Sequence, residues 1–112
     1  MADQPEHELL RDGLIQRFEF SFDLAIKLLR RHLETTEPVA ESVGELSFAG
    51  LVRLADARGL LRGGLPIWQE FRAARNTSSH AYDALLAQQV LEQVSVFADE
   101  AEYLYQQLIE SR

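Results

Sequence analysis

The chain contains no cysteine in 112 residues. That excludes a disulfide framework and thiol chemistry, and it fits a reducing compartment. Long apolar runs are missing too. No stretch approaches the roughly 18 residues needed to span a bilayer. The opening "MADQPEHELLRDG" is polar and acidic, without the apolar h-region of a signal peptide. A cytoplasmic protein with no membrane association is the expectation. Positive charge is scarce: 11 Lys and Arg face 18 Asp and Glu, for a net charge of −7. Backbone binding to nucleic acid needs a basic footprint, so general affinity of that kind is not expected. Gly59, Gly63 and Gly64 form no phosphate-loop or dinucleotide fingerprint, and no G-x-S-x-G elbow occurs. His7, His32 and His80 lack carboxylates at metal-ligand spacing, so no metal or other cofactor is expected.

What is present is a globular balance, 46 % hydrophobic and 26 % charged, at a length suited to one domain over residues 1–112. Apolar residues at Leu10, Leu14, Phe18, Phe22, Ala25, Leu29 and Leu33 recur in steps of three and four. That stripe predicts a helix over about 6 to 35, ended before Glu37-Pro38 because the residue preceding proline leaves the α region. Residues 36 to 45 read as a loop. Ser47 is a plausible N-cap for a helix over about 48 to 58, with Gly59 as its stop. Pro66 suits the first turn of a third helix carrying Ile67, Trp68 and Phe71 into Arg75. A last helix begins near Asp83, with its stripe at Leu86, Val90, Val94, Phe97, Ala101, Leu104 and Leu108. Nothing alternates with period two, and no repeat or linker is visible. The predicted architecture is all-α: an antiparallel up-and-down bundle of the four-helix type, with five helices if short ones are counted.

The first helix carries a second apolar line at Ile15, Phe20, Leu24 and Leu28. Either its own chain covers it on both sides, or one face is reserved for another subunit. Glu19 and Asp23, four apart, could serve as acid and base. Carboxylates so placed are more often paired, here with Lys27.

Chemistry concentrates in "RAARNTSSHAYD", residues 72 to 83. It closes the most basic stretch, in which Arg53, Arg58, Arg62, Arg72 and Arg75 face Asp56 and Glu70. From Tyr82 onward six acids face only Arg112. A structural reading is available. Arg75 suits a helix C-terminus, Asn76 can end a helix, and the hydroxyls favour turns. The chemical reading is that His80 takes or gives a proton at neutral pH while Arg75 grips a phosphate. RNA brings its own 2′-hydroxyl nucleophile, so no metal is required. One histidine per chain is a thin acid–base set, and a two-fold dimer would supply a second.

"RDGLIQRFEFSFDLAIKLLRRHL", a tryptophan-bearing helix, "RNTSSHAYD" and a long terminal helix together resemble the nucleotidyltransferase substrate-binding proteins. These are small helical members of the HEPN superfamily. The resemblance covers most of the chain. Its most specific part is the Arg-x4-His pattern at Arg75 and His80, followed by Tyr82, with "IQRFEFSFDLAIK" as a second anchor. It implies a homodimer within a heterotetramer, partnered by a minimal nucleotidyltransferase encoded nearby, and a system similar to toxin–antitoxin pairs. This chain lacks the nucleotidyltransferase's own glycine-serine and aspartate motif. Three functions are expected as alternatives. The first is a metal-independent ribonuclease, in which Arg75 binds the scissile phosphate, His80 is acid or base, Asn76 orients it, and Arg72, Ser79 and Tyr82 contact substrate. The second is a non-catalytic accessory subunit whose same loop binds a nucleotide or substrate for the partner nucleotidyltransferase. The third is a plain interaction module. Tyr82 reads either as a core residue or as a target for nucleotide transfer that would silence the site.

Overall fold

A computed structural model describes residues 5–80 and 82–110. The acidic first four residues, Ala81, Ser111 and the lone Arg112 lie outside the described residues. The order is α1 (Pro5–Thr36), α2 (Ala40–Gly44), α3 (Phe48–Ala57), α4 (Leu65–Thr77), a 3-10 turn (Ser78–His80) and α5 (Ala84–Glu110). No strand occurs among the described residues. The all-α bundle predicted from periodicity is the fold found.

Local signals set most boundaries. The Ser47 hydroxyl accepts from the Gly50 amide at 3.1 Å and caps α3. Gly59 takes φ +76° just beyond α3, where the Leu60 amide returns to the Ala55 carbonyl. A side chain at Gly59 would be strained, so glycine is the fitting stop. Pro66 sits in the first turn of α4. Asp83 Oδ1 accepts from the amides of Leu85 (2.9 Å) and Leu86 (3.3 Å), capping α5.

The expected loop over 36 to 45 instead contains α2. Its cause is not local. Val43 is buried, and the Arg30 guanidinium reaches across from α1 to the carbonyls of Val43 (2.8 Å) and Leu46 (3.2 Å). A charged donor thereby satisfies carbonyls that a five-residue helix cannot pair internally.

The core is aromatic. Phe97 of α5 meets Phe18 and Phe71 edge-on at 5.4 and 5.2 Å, and lies 6.1 and 6.0 Å from Phe22 and Trp68. On α5 the buried positions are Ala87, Val90, Phe97, Glu100 and Leu104, so Val94, Ala101 and Leu108 of the predicted stripe only flank the core, and Leu86 is half-buried. Buried Glu100 escaped the sequence reading. Its Oε1 accepts from the Gly63 amide at 2.9 Å, tying down the turn before α4.

At ~1.5 Å per residue, the 32 residues of α1 extend about 48 Å, nearly the full 55 Å length of the molecule. The short helices cannot cover a rod of that length. Leu10 and Leu14, expected in the core, are exposed, as are Phe20 (68 %) and Leu24 (54 %). The described residues do not cover α1 on both sides; Leu10, Leu14, Phe20 and Leu24 are left to solvent.

Candidate functional site

Arg75 occupies the last turn of α4, a favourable end for a cation in the helix dipole. Its Nε and Nη2 donate to Asp23 Oδ1 and Oδ2, both at 3.0 Å, a side-on bidentate pair. Nη1 donates to Glu19 Oε2 at 3.1 Å. The Ser78 hydroxyl, buried at the start of the 3-10 turn, lies against the same Glu19 oxygen and against the Arg75 carbonyl at 2.7 Å. Glu19 and Asp23 are four residues apart on α1, so one helix face presents both carboxylates to one guanidinium. The expected Asp23–Lys27 pair is therefore replaced by one to α4, because Arg75 offers a planar fork that matches a carboxylate.

The arrangement fixes Arg75 and strengthens its proton affinity. The hydrogen bonds to Asp23 raise the guanidinium above its ordinary pKa, partial burial opposes this, and the charges of Asp23 and Glu19 add to it. Five N–H bonds are available on a guanidinium. Three are committed to carboxylates, so Nη1 and Nη2 each keep one for a ligand. Among the described residues the only other contact of Nη1 is a weak one to Ser78 Oγ, at a long 3.5 Å. The side chain is about one-third exposed.

Ser79 and His80 follow in the 3-10 turn and are exposed. The His80 ring has no hydrogen bond among the described residues; its neighbour is the Tyr82 ring, edge-on at 6.1 Å. Tyr82 is 84 % exposed, so it is not a core residue. Asn76 makes no hydrogen bond to the His80 ring. It lies instead with Arg72, Arg75 and Ser79 along one edge of an open groove of about 500 Å³. Phe22 and Ile26 of α1 and Phe48 of α3 line its apolar side. The Arg72 guanidinium sits 4.9 Å above the Phe48 ring, a cation–π contact. Phe48 escaped the sequence reading because nothing local shows that the start of α3 reaches α4. Among the described residues no three His, Asp or Glu side chains gather as a metal site requires. No helix there is long and apolar enough to cross a membrane.

A helical bundle with an Arg–His turn at one end is the class of protein that the fold and site define. The chain belongs to the "Nucleotidyltransferase substrate binding protein like" family, whose pattern matches residues 1–110. It is similar to a Haemophilus influenzae protein named "Probable ribonuclease HepT", 34 % identical over 96 residues. The match takes in 86 % of this chain but only 65 % of that relative, so the chain spans under two thirds of its length. A solved Haemophilus influenzae structure, described as the fold of a substrate binding domain of a nucleotidyltransferase, superposes with a TM-score of 0.87. Identity there is 34 %, covering 94 % of this chain and 78 % of the other.

Proposed function

We propose that this chain is the HEPN-type ribonuclease subunit of a two-component system with a minimal nucleotidyltransferase, acting without a metal ion. The observation that carries the reading is Arg75. Two carboxylates hold it, yet it keeps one unengaged N–H on Nη2, a second on Nη1 held only by a long contact to Ser78, and an exposed edge, five residues before an exposed histidine. Those N–H bonds would take the two non-bridging oxygens of a phosphodiester, where charge builds as the 2′-hydroxyl attacks. His80 would accept the hydroxyl proton, or donate one to the departing 5′-oxygen.

A homodimer completes the acid–base pair. Its support is the bare face of α1. Exposed Phe20 and Leu24 directly follow Glu19 and Asp23, so a second copy docked there would lie beside the Arg75 cradle. Tyr82, exposed and in ring contact with His80, is the residue a partner nucleotidyltransferase would modify. The added negative charge would repel RNA from the site.

The test is cleavage of single-stranded RNA in EDTA. We expect cleavage by the native protein and a loss of at least about 100-fold in His80→Ala, the scale of one lost acid–base group. Equal RNA loss from both proteins would remove the proposal. A second reading, a non-catalytic subunit that binds a nucleotide for its partner, is favoured by one observation: Glu19 and Asp23 outweigh the charge of Arg75. It predicts intact RNA and nucleotide binding weakened by Arg75→Ala.

A further inference from the structure

We propose that the groove between α1, α3 and α4 binds a single unpaired nucleotide unit, its base stacked on the Arg72 guanidinium and its edge read by Asn76. The inference rests on the reading of this chain as an RNA-acting protein and adds to it a base-binding subsite beside Arg75.

The starting point is how unequally the polar groups of the groove are engaged. Arg75 is committed to Asp23 and Glu19. Arg72, one helical turn earlier, forms no ion pair among the described residues and lies against Phe48. Asn76, one turn after Arg72, has a side-chain amide without any hydrogen bond there, offering both a donor and an acceptor. The Ser79 hydroxyl donates only to the Asn76 carbonyl, at a long 3.3 Å that a ligand could replace. Arg72 and Asn76 are one turn apart on α4, and Ser79 of the following 3-10 turn lines the same groove.

Chemistry then selects the ligand. The wall opposite this row is formed by Phe22, Ile26 and Phe48 from two other helices, and its one charged group, Asp23, is already paired with Arg75. A planar molecule with apolar faces and donor–acceptor edges fits such a slot, and unpaired bases are recognised by stacking on arginine planes and aromatic rings. Arg72 is exposed, so the side of its plane away from Phe48 is open to a second ring. The volume of about 500 Å³ lies within the range of small-ligand sites. Electrostatics limit the phosphate content. Arg72 and Arg75 are balanced by Asp23 and Glu19, so the groove has no surplus charge to attract a polyphosphate. One phosphodiester, held at the exposed edge of Arg75 beside the stacked base, is what it can hold. A duplex hides its base faces and cannot enter.

The subsite can be tested apart from cleavage. In His80→Ala protein, which should not degrade the probe, amide NMR shifts of Phe48, Asn76 and Ser79 are followed during titration. The probes are a single-stranded RNA hexamer, AMP, ATP and a 12-base-pair RNA duplex. We expect the hexamer to shift these amides, and AMP to shift the same amides more weakly. The duplex should not, and ATP should bind no better than AMP. Adding Arg72→Ala should weaken hexamer affinity roughly 5- to 150-fold, the range for one base stacked on an aromatic ring, taken as the scale for a guanidinium plane. Arg72→Lys, which keeps the charge and loses the plane, should recover little of it. Full affinity in Arg72→Ala, rescue by Arg72→Lys, or shifts that bypass Phe48 and Asn76 would overturn the subsite. Loss of EDTA-resistant cleavage in the native protein with binding intact would instead remove the ribonuclease reading and leave the subsite standing.

Discussion

The cradle around Arg75 makes a prediction whose sign is informative. Asp23→Asn removes one negative charge beside the proposed phosphate position. If only net charge mattered, the substitution would strengthen RNA binding and speed cleavage. If Asp23 instead holds Arg75 in place, cleavage falls although repulsion is relieved. The energetic scale can be worked from the geometry. Two unit charges about 4 Å apart interact by ~1 kcal/mol in water and ~4 kcal/mol at an effective dielectric constant near 20. Asp23 is 55 % and Arg75 32 % exposed, so screening and side-chain ordering place the pair near the low end. A double-mutant cycle of Asp23→Ala and Arg75→Ala, read by urea unfolding, should give a coupling of about 1 kcal/mol. At this chain length that is roughly 4 °C in Tm. The coupling should shrink in ~0.5 M salt, where the screening length is only a few ångströms. Coupling within error of zero at low salt, or faster cleavage by Asp23→Asn, would refute the claim that the carboxylates position Arg75.

Three further outcomes are expected from the same structure. Phe97→Ala should cost about 3–5 kcal/mol by urea unfolding, because its ring is central to the buried aromatic cluster; a loss under about 2 kcal/mol would mean that the cluster collapses around the cavity. Arg58 donates to both Glu37 oxygens, at 2.7 and 2.8 Å, and this holds the carboxyl below its ordinary pKa of 4.5. The stabilisation is therefore present above about pH 4.5 and is lost as pH falls through the lowered value, so Glu37→Gln should flatten the stability–pH profile on the acid side; superimposable profiles from about pH 3 to 6 would contradict this. Leu24→Glu should shift the mass measured by light scattering from about twice 12.7 kDa to a single chain while leaving helicity unchanged; a native protein that is already monomeric would remove the homodimer from the proposal.

Features encoded within a few residues are legible in the sequence. The stripe from Phe18 to Leu33, the Ser47 and Asp83 caps, the Gly59 stop and Pro66 in the first turn of α4 each act through neighbours three or four positions away. Periodicity and cap chemistry therefore suffice to place α1, α3, α4 and α5. The segment from Arg72 to Tyr82 is legible as the chemical part of the chain because its residue types concentrate there and nowhere else. What the segment touches is not legible. Asp23 lies 52 residues from Arg75, and Glu19 lies 59 from Ser78. Phe48 reaches Arg72 from another helix, and Arg30 supports α2 at a distance of 13 residues.

The sequence by itself determined four helices, their ends and the identity of the Arg–His turn, because hydrogen bonds and side-chain periodicity within a helix are local. Only the tertiary structure decided that Arg75 is clamped by Asp23 and Glu19 while Arg72 lies on Phe48 beside Asn76, that Tyr82 is exposed, and that Phe20 and Leu24 face solvent. Those properties depend on which helix faces pack together, and packing is settled by contacts between residues far apart in the chain.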